Sequence, residues 1–128
     1  MLSAEENQLL TQVSAGTPMG ELMRRYWHPV AAVAELDDQP TKQVRLMGED
    51  LVLYRDREGT YGLVDRHCPH RRADMYYGML EEHGLRCNYH GWLFNETGRC
   101  LQQPFEDIAH PEARFKDRVR IKAYPVEA

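Results

Sequence analysis

Apolar positions along the chain recur first at a helical interval and then at an alternating one. Ser3 with Glu6 is a capping-box pair, whose hydroxyl and carboxylate satisfy free amides of a first helical turn. Leu9, Leu10 and Val13 extend it as an apolar stripe until Gly16 stops it. Thr17-Pro18 opens a second short helix with proline at its first position, which places Met19, Leu22, Met23 and Tyr26 on one face. These methionines read as core filler. Trp27-His28-Pro29 ends the helix, because the residue before a proline avoids helical dihedrals.

From Val30 the period falls to two. Val30 to Glu35, Gln43 to Met47, Leu51 to Arg55 and Gly62 to Val64 read as short strands. Turn chemistry separates them at Asp37-Asp38-Gln39-Pro40, Gly48-Glu49-Asp50 and Asp56-Arg57-Glu58-Gly59. Farther on, Leu85-Arg86 reads as a strand, Trp92-Leu93-Phe94 and Arg99-Cys100-Leu101 as a hairpin joined by Asn95 to Gly98, and Val119, Ile121 and Ala123 as a final strand. Short strands at this spacing predict a mainly β domain, an antiparallel sandwich or small barrel preceded by short helices. No repeat, low-complexity tract or linker interrupts it.

Composition narrows the class. The 128 residues, 42% hydrophobic, suffice for one domain with a core and not for two. A net charge of −4, mixed in sign along the chain, argues for neither nucleic acid nor an anionic membrane surface as partner. The longest apolar run, Val30 to Ala34, is far short of a membrane span, and Met1 to Glu6 lacks the charged and apolar regions of a signal peptide. Three cysteines build no disulfide framework. A soluble, cytoplasmic protein is the expectation.

The chemistry lies in Cys68-Pro69-His70 and Cys87-Asn88-Tyr89-His90, which together read C-x-H-x16-C-x2-H. Each of two short loops offers one thiolate and one imidazole. Zinc sites that use two Cys and two His pair like with like along the sequence, whereas here each loop mixes them. A mixed loop used twice suits a two-iron cluster with the thiolates on one iron and the imidazoles on the other.

Cys68-Pro-His-Arg-Arg-Ala73 and Cys87-Asn-Tyr-His-Gly-Trp92 resemble the Rieske [2Fe-2S] domain of aromatic ring-hydroxylating and O-demethylating oxygenases. Arg25-Tyr-Trp-His-Pro-Val30 and Ile121-Lys-Ala-Tyr-Pro-Val126 resemble its phthalate 4,5-dioxygenase and phenoxybenzoate dioxygenase branch. The resemblance implies a Rieske fold, with a helical segment over residues 1–29 and the [2Fe-2S] domain over 30–128, its cluster-binding part about 65–105. It makes Cys68, His70, Cys87 and His90 the cluster ligands, and Gln103-Pro104-Phe105 the segment lying over the cluster. Two thiolates leave the oxidised centre neutral where four would leave it doubly negative, so an added electron settles on the imidazole-held iron. The loops carry no further cysteine beside the ligands, which places the midpoint at the low end of the Rieske range of about −150 to +300 mV. Protonation of the ligand imidazoles should link to reduction, so that the midpoint falls at alkaline pH.

The oxygenases it resembles take electrons from a ferredoxin or flavin reductase and deliver them to a catalytic domain, of a neighbouring subunit, where two His and a carboxylate hold one non-haem Fe(II). Histidines 28, 67, 83 and 110 offer no compact pair with a carboxylate for such a site. The sequence also stops soon after Tyr124-Pro125-Val126, so it reads as an N-terminal fragment whose catalytic domain is absent, with an aromatic carboxylate or aryl ether as the whole enzyme's substrate. Two rivals stay open: a stand-alone Rieske ferredoxin, and a zinc-stabilised binding module. His28 reads as structural, His67 as pointing away from its ligand neighbour, His83 as a solvated turn residue and Cys100 as a small buried hydrophobe. Arg66, Arg71, Arg72 and Arg86 read either as a solvated face or as a docking patch for an acidic electron donor.

Overall fold

The computed structural model describes residues 1–128. Helix α1, Ala4–Thr11, starts at the expected capping box: the Glu6 amide donates to Ser3 Oγ at 3.1 Å and the Ser3 amide to Glu6 Oε2 at 2.7 Å. Its apolar stripe is not used, since Leu9 and Leu10 are exposed and no residue of the helix is buried. Capping therefore holds α1, with little packing behind it. Helix α2, Pro18–Met23, has Thr17 as its cap, and Gly20 is buried so tightly that a Cβ there would stand 2.3 Å from the Ser14 carbonyl oxygen. Met19 and Met23 are half-buried, but Leu22 and Tyr26 are exposed, so the expected apolar face is only partly covered.

No strand forms over Val30–Glu35. The chain runs irregularly to a turn and then a single turn of helix, α3, Glu35–Asp38. Alanine-rich composition favours the helical turn, the Ala32 amide donates to Glu35 Oε1 at 2.8 Å, and Val33 faces solvent. Only Leu36 is buried, and Arg55 fixes the turn by donating to the Leu36 carbonyl at 3.0 Å and to Asp37 Oδ1 at 2.9 Å.

Two antiparallel four-stranded sheets follow. The first contains β1 (Thr41–Leu46), β2 (Glu49–Arg55), β3 (Tyr61–Asp65) and β8 (Ala123–Tyr124) in that order. The second contains β4 (Met79–Glu81), β5 (Gly84–Arg86), β6 (Leu93–Phe94) and β7 (Cys100–Gln102). The β1–β2 turn is Met47-Gly48, with φ of 48° and 79°, a two-residue loop positive at both positions. Glu49 and Asp50, expected in that turn, therefore begin the next strand.

Strand alternation serves two cores. Leu51 and Leu53 of β2 pack with Leu36, Val44 and Leu63 beneath α3. Val52 and Tyr54, on the opposite face, join Val64, Met75, Leu85 and Phe94 between the sheets. Helix α4, Pro104–Ala109, and a 3₁₀ turn at Phe115–Arg118 complete the chain's route back. The expected last strand is shortened to β8, because Ile121 leaves the ladder and donates its amide to the Gly98 carbonyl at 2.9 Å. That detour ties the hairpin of the second sheet to the edge of the first.

Glu49 fastens the N-terminal segment to this frame. Its carboxylate accepts from Arg24 Nη1 at 2.7 Å, from the Tyr124 hydroxyl at 2.6 Å and from Lys122. Burial works to raise this carboxyl, but Lys122, Tyr124 and Arg24 outweigh it and hold it down at about 2.

Candidate metal centre

The two candidate loops close in the same way. Aligned on their cysteines, the amides of Cys68 and Cys87 donate to the carbonyls five residues on, Ala73 and Trp92, at 2.9 and 2.8 Å. The amides four residues on, Arg72 and Gly91, return to the Cys68 and Cys87 carbonyls at 2.9 and 3.0 Å. Those return residues have φ of 62° and 78°, so the left-handed corner that glycine fills in one loop is imposed on an arginine in the other. The sequence carried this signal in the alignment of CPHRRA on CNYHGW, but only the geometry gives it meaning.

Both cysteines are buried in the core between the sheets, at 1% and 3% exposure, while His70 and His90 stand half-buried at its rim. The imidazoles meet edge to face with centroids 4.6 Å apart, and the Trp92 indole stacks on His70 at 4.2 Å and 7°. Trp92 was not singled out from sequence as a contact of His70, and nothing local to it signals the stacking. Cys68 and Cys87 are the largest influence on each other's ionisation. The pair gives up its first proton readily, with Cys87 pulled down to about 6, and the second with difficulty, Cys68 being pushed up by its partner and by burial. Burial first, then the neighbouring His90, lowers His70 and keeps its imidazole neutral, the form that binds a metal.

The side chains thus associate sulfur with sulfur and nitrogen with nitrogen, although the sequence interleaves them. No three of the four donors come within 4.8 Å of one another, as a single ion bound at about 2.0–2.3 Å would require. His90 Nδ1 is buried and has no hydrogen-bond partner, leaving its lone pair for a metal. A thiol pair at depth and an imidazole pair at the rim fit a [2Fe-2S] cluster held by two sulfurs and two nitrogens.

Two of the four arginines prove to be internal braces. Arg66 donates to Asp74 Oδ2 at 2.8 Å, and Arg86 donates to Glu81 Oε1, the Gly91 carbonyl and Gln102 Oε1 at 2.8, 2.7 and 2.7 Å. Arg71 and Arg72 are exposed and form no ion pair. Pro104 abuts the second loop, since a Cβ on Gly91 would stand 3.1 Å from its Cγ. His28 caps the Met23 carbonyl at 2.7 Å, and His83, exposed, lies 3.2 Å from Glu58. His67 lies 3.9 Å from Asp65, while His110 ends α4. Cys100 is 1% exposed, and burial pushes its thiol up to about 11, in keeping with an inert hydrophobe. No helix is long and apolar enough to cross a membrane.

Comparison with known proteins agrees with this geometry. The chain is 65% identical over 128 residues to the 5,5'-dehydrodivanillate O-demethylase oxygenase subunit of Sphingobium sp., covering all of this chain and 30% of that protein. It is 50% identical over 119 residues to the phenoxybenzoate dioxygenase subunit alpha of Ectopseudomonas oleovorans, covering 92% of this chain and 28% of that one. The chain therefore spans less than a third of the length of these relatives. Among solved structures, Pseudomonas putida CBB5 NdmA superposes with a TM-score of 0.71 at 28% identity, covering 84% of this chain and 33% of that one. The crystal structure of dicamba monooxygenase does so with a TM-score of 0.61 at 28% identity, covering 77% and 30%. The Rieske [2Fe-2S] domain model matches residues 26–125, a span that includes both loops and all eight strands, and the chain belongs to that family.

Proposed function

We propose that Cys68, His70, Cys87 and His90 hold the [2Fe-2S] cluster and that residues 30–128 are the electron-transfer domain of a Rieske non-haem iron oxygenase. Residues 1–29 form its helical N-terminal segment and about 65–105 its cluster-binding part. The observation that carries this reading is the segregation of thiols from imidazoles, with donors too dispersed for one ion. When bound, the cluster supplies a site that accepts and releases one electron. The chain's residues do the rest. The core around Cys68 and Cys87 excludes water from the sulfur end, Trp92 holds the plane of His70, and the rim leaves the imidazole end open to partners.

Those partners are a ferredoxin or flavin reductase as donor and, as acceptor, a mononuclear iron in the catalytic domain of a neighbouring subunit. Arg71 and Arg72, unpaired beside His70, suit an acidic donor surface. Aromatic hydroxylation or ether cleavage is the reaction of the whole enzyme, acting on an aromatic carboxylate or aryl ether in the cytoplasm. The relatives' names, an O-demethylase and a phenoxybenzoate dioxygenase, support an aryl ether. Anaerobic purification followed by iron and acid-labile sulfide assay tests the ligand set. Two irons and two sulfides per chain are expected, with loss of colour in Cys68→Ser and in Cys87→Ser. One metal per chain, or sulfide-free protein, would overturn it and favour the zinc reading.

A further inference from the structure

Three carboxylates around the two loops, Asp74, Glu81 and Asp107, are committed. Asp74 accepts from Arg66 and from the Tyr76 amide, and Glu81 from Arg86. Asp107 accepts from the Gln103 amide at 2.9 Å, capping α4, with Lys116 at 3.6 Å. Glu106 forms no ion pair, and its Oε2 is screened from solvent with no hydrogen-bond partner. A buried, unpaired carboxylate oxygen is costly unless it faces something that a negative charge favours.

Its place in the fold says what that is. Pro104 rests on Gly91, between His90 and Trp92, so the first turn of α4 lies against the second loop. Gln103, 1% exposed, follows directly on the Gln102–Leu93 strand pair and so stands beside Trp92. Glu106 is three residues farther along, on the same face of the helix as Gln103. The capping role usual for an acidic first-turn residue is already filled by Asp107. Trp92 is itself stacked on His70 at 4.2 Å, so this face of α4 is turned to the imidazole end of the two loops.

We propose that Glu106 is a positioning residue for the imidazole end of the centre, its fixed negative charge opposing the electron that reduction adds there. This rests on the ligand assignment above. A carboxylate three residues into α4 would thus hold the midpoint down from within the same chain, before any partner docks.

The test is a redox titration of the cluster-loaded protein, wild type against Glu106→Gln and Glu106→Asp, followed by visible circular dichroism and electron paramagnetic resonance. At the wild-type midpoint, Glu106→Gln should raise the ratio of reduced to oxidised centre by about threefold to tenfold, the side chain as a whole being partly buried and so partly screened. A tenfold change corresponds to about 59 mV for one electron. Glu106→Asp, which keeps the charge on a shorter arm, should move the ratio by less. An unchanged midpoint in Glu106→Gln, with or without a lower melting temperature, would overturn the proposal, as would failure of both variants to load a centre that the wild type holds. If the wild type itself holds no two-iron centre, the ligand assignment fails first and this inference with it.

Discussion

Arg86 links three pieces of backbone that must stay in register for the second loop to keep its shape. Its Nε reaches Glu81 on β4, Nη1 the Gly91 carbonyl inside the loop, and Nη2 the Gln102 side chain on β7. Replacing it with methionine keeps the aliphatic stem and removes all three bonds. The bond to Gly91 is part-buried, charge-assisted and made to a backbone carbonyl fixed inside the loop, worth about 1–1.5 kcal/mol, while those to the side chains of Glu81 and Gln102 contribute about 0.5 kcal/mol each. Arg86→Met should therefore cost about 2–2.5 kcal/mol, or roughly 10 °C in melting temperature for a chain of this size. Arg86→Lys can satisfy one partner at a time and should recover no more than about half. Urea unfolding of the cluster-loaded protein measures the cost, and iron released to a chelator over time measures the loop's integrity. If Arg86→Met unfolds within about 0.5 kcal/mol of wild type and retains iron equally well, the brace is ornamental and the reasoning is wrong.

Two other perturbations follow from the frame. The Glu49 carboxyl lies at about 2 instead of 4.5, nominally about 3 kcal/mol, and exposure of Lys122 at one side screens this to about 1–2 kcal/mol. Because the folded value is the lower one, that advantage of wild type over Glu49→Gln should be complete at neutral pH, begin to shrink below about pH 5 and be more than half gone by about pH 3. Denaturant unfolding of both proteins at matched pH would show it, and a pH-independent difference would refute it. At Gly84, where φ is 130°, an added Cβ would meet the Phe94 carbonyl oxygen at 2.1 Å, so Gly84→Ala should lose more than about 2 kcal/mol in the same assay. Near-wild-type stability there would mean that the hairpin can shift without consequence.

The parts legible in sequence were those decided by neighbours along the chain. The capping box of Ser3 and Glu6, the proline-led α2, and the hairpin through Asn95–Gly98 all form as local chemistry dictates. The two candidate loops stood out for the same reason, since thiol and imidazole must lie a few residues apart to share a turn. What sequence could not carry were partnerships across space. The alternation from Val30 to Glu35 imitated a strand, yet the segment joins neither sheet and leads into a helical turn whose Leu36 packs on β2 instead. Leu9 and Leu10 had helical spacing, yet both stay about half exposed and neither enters a core. Arg86 and Arg71 looked alike as loop cations, and only the positions of Glu81 and Gln102 separate a brace from a free charge.

The depth ordering of the four candidate side chains has a consequence for how such a domain can change over time. The sulfur roots are set in the same apolar packing as Val64 and Phe94, whereas the imidazole tips share the surface with Tyr89 and Phe105. Substitutions that retune the tips for a new visiting protein need not disturb the roots. One socket can thus be inherited almost unaltered while its clientele is exchanged.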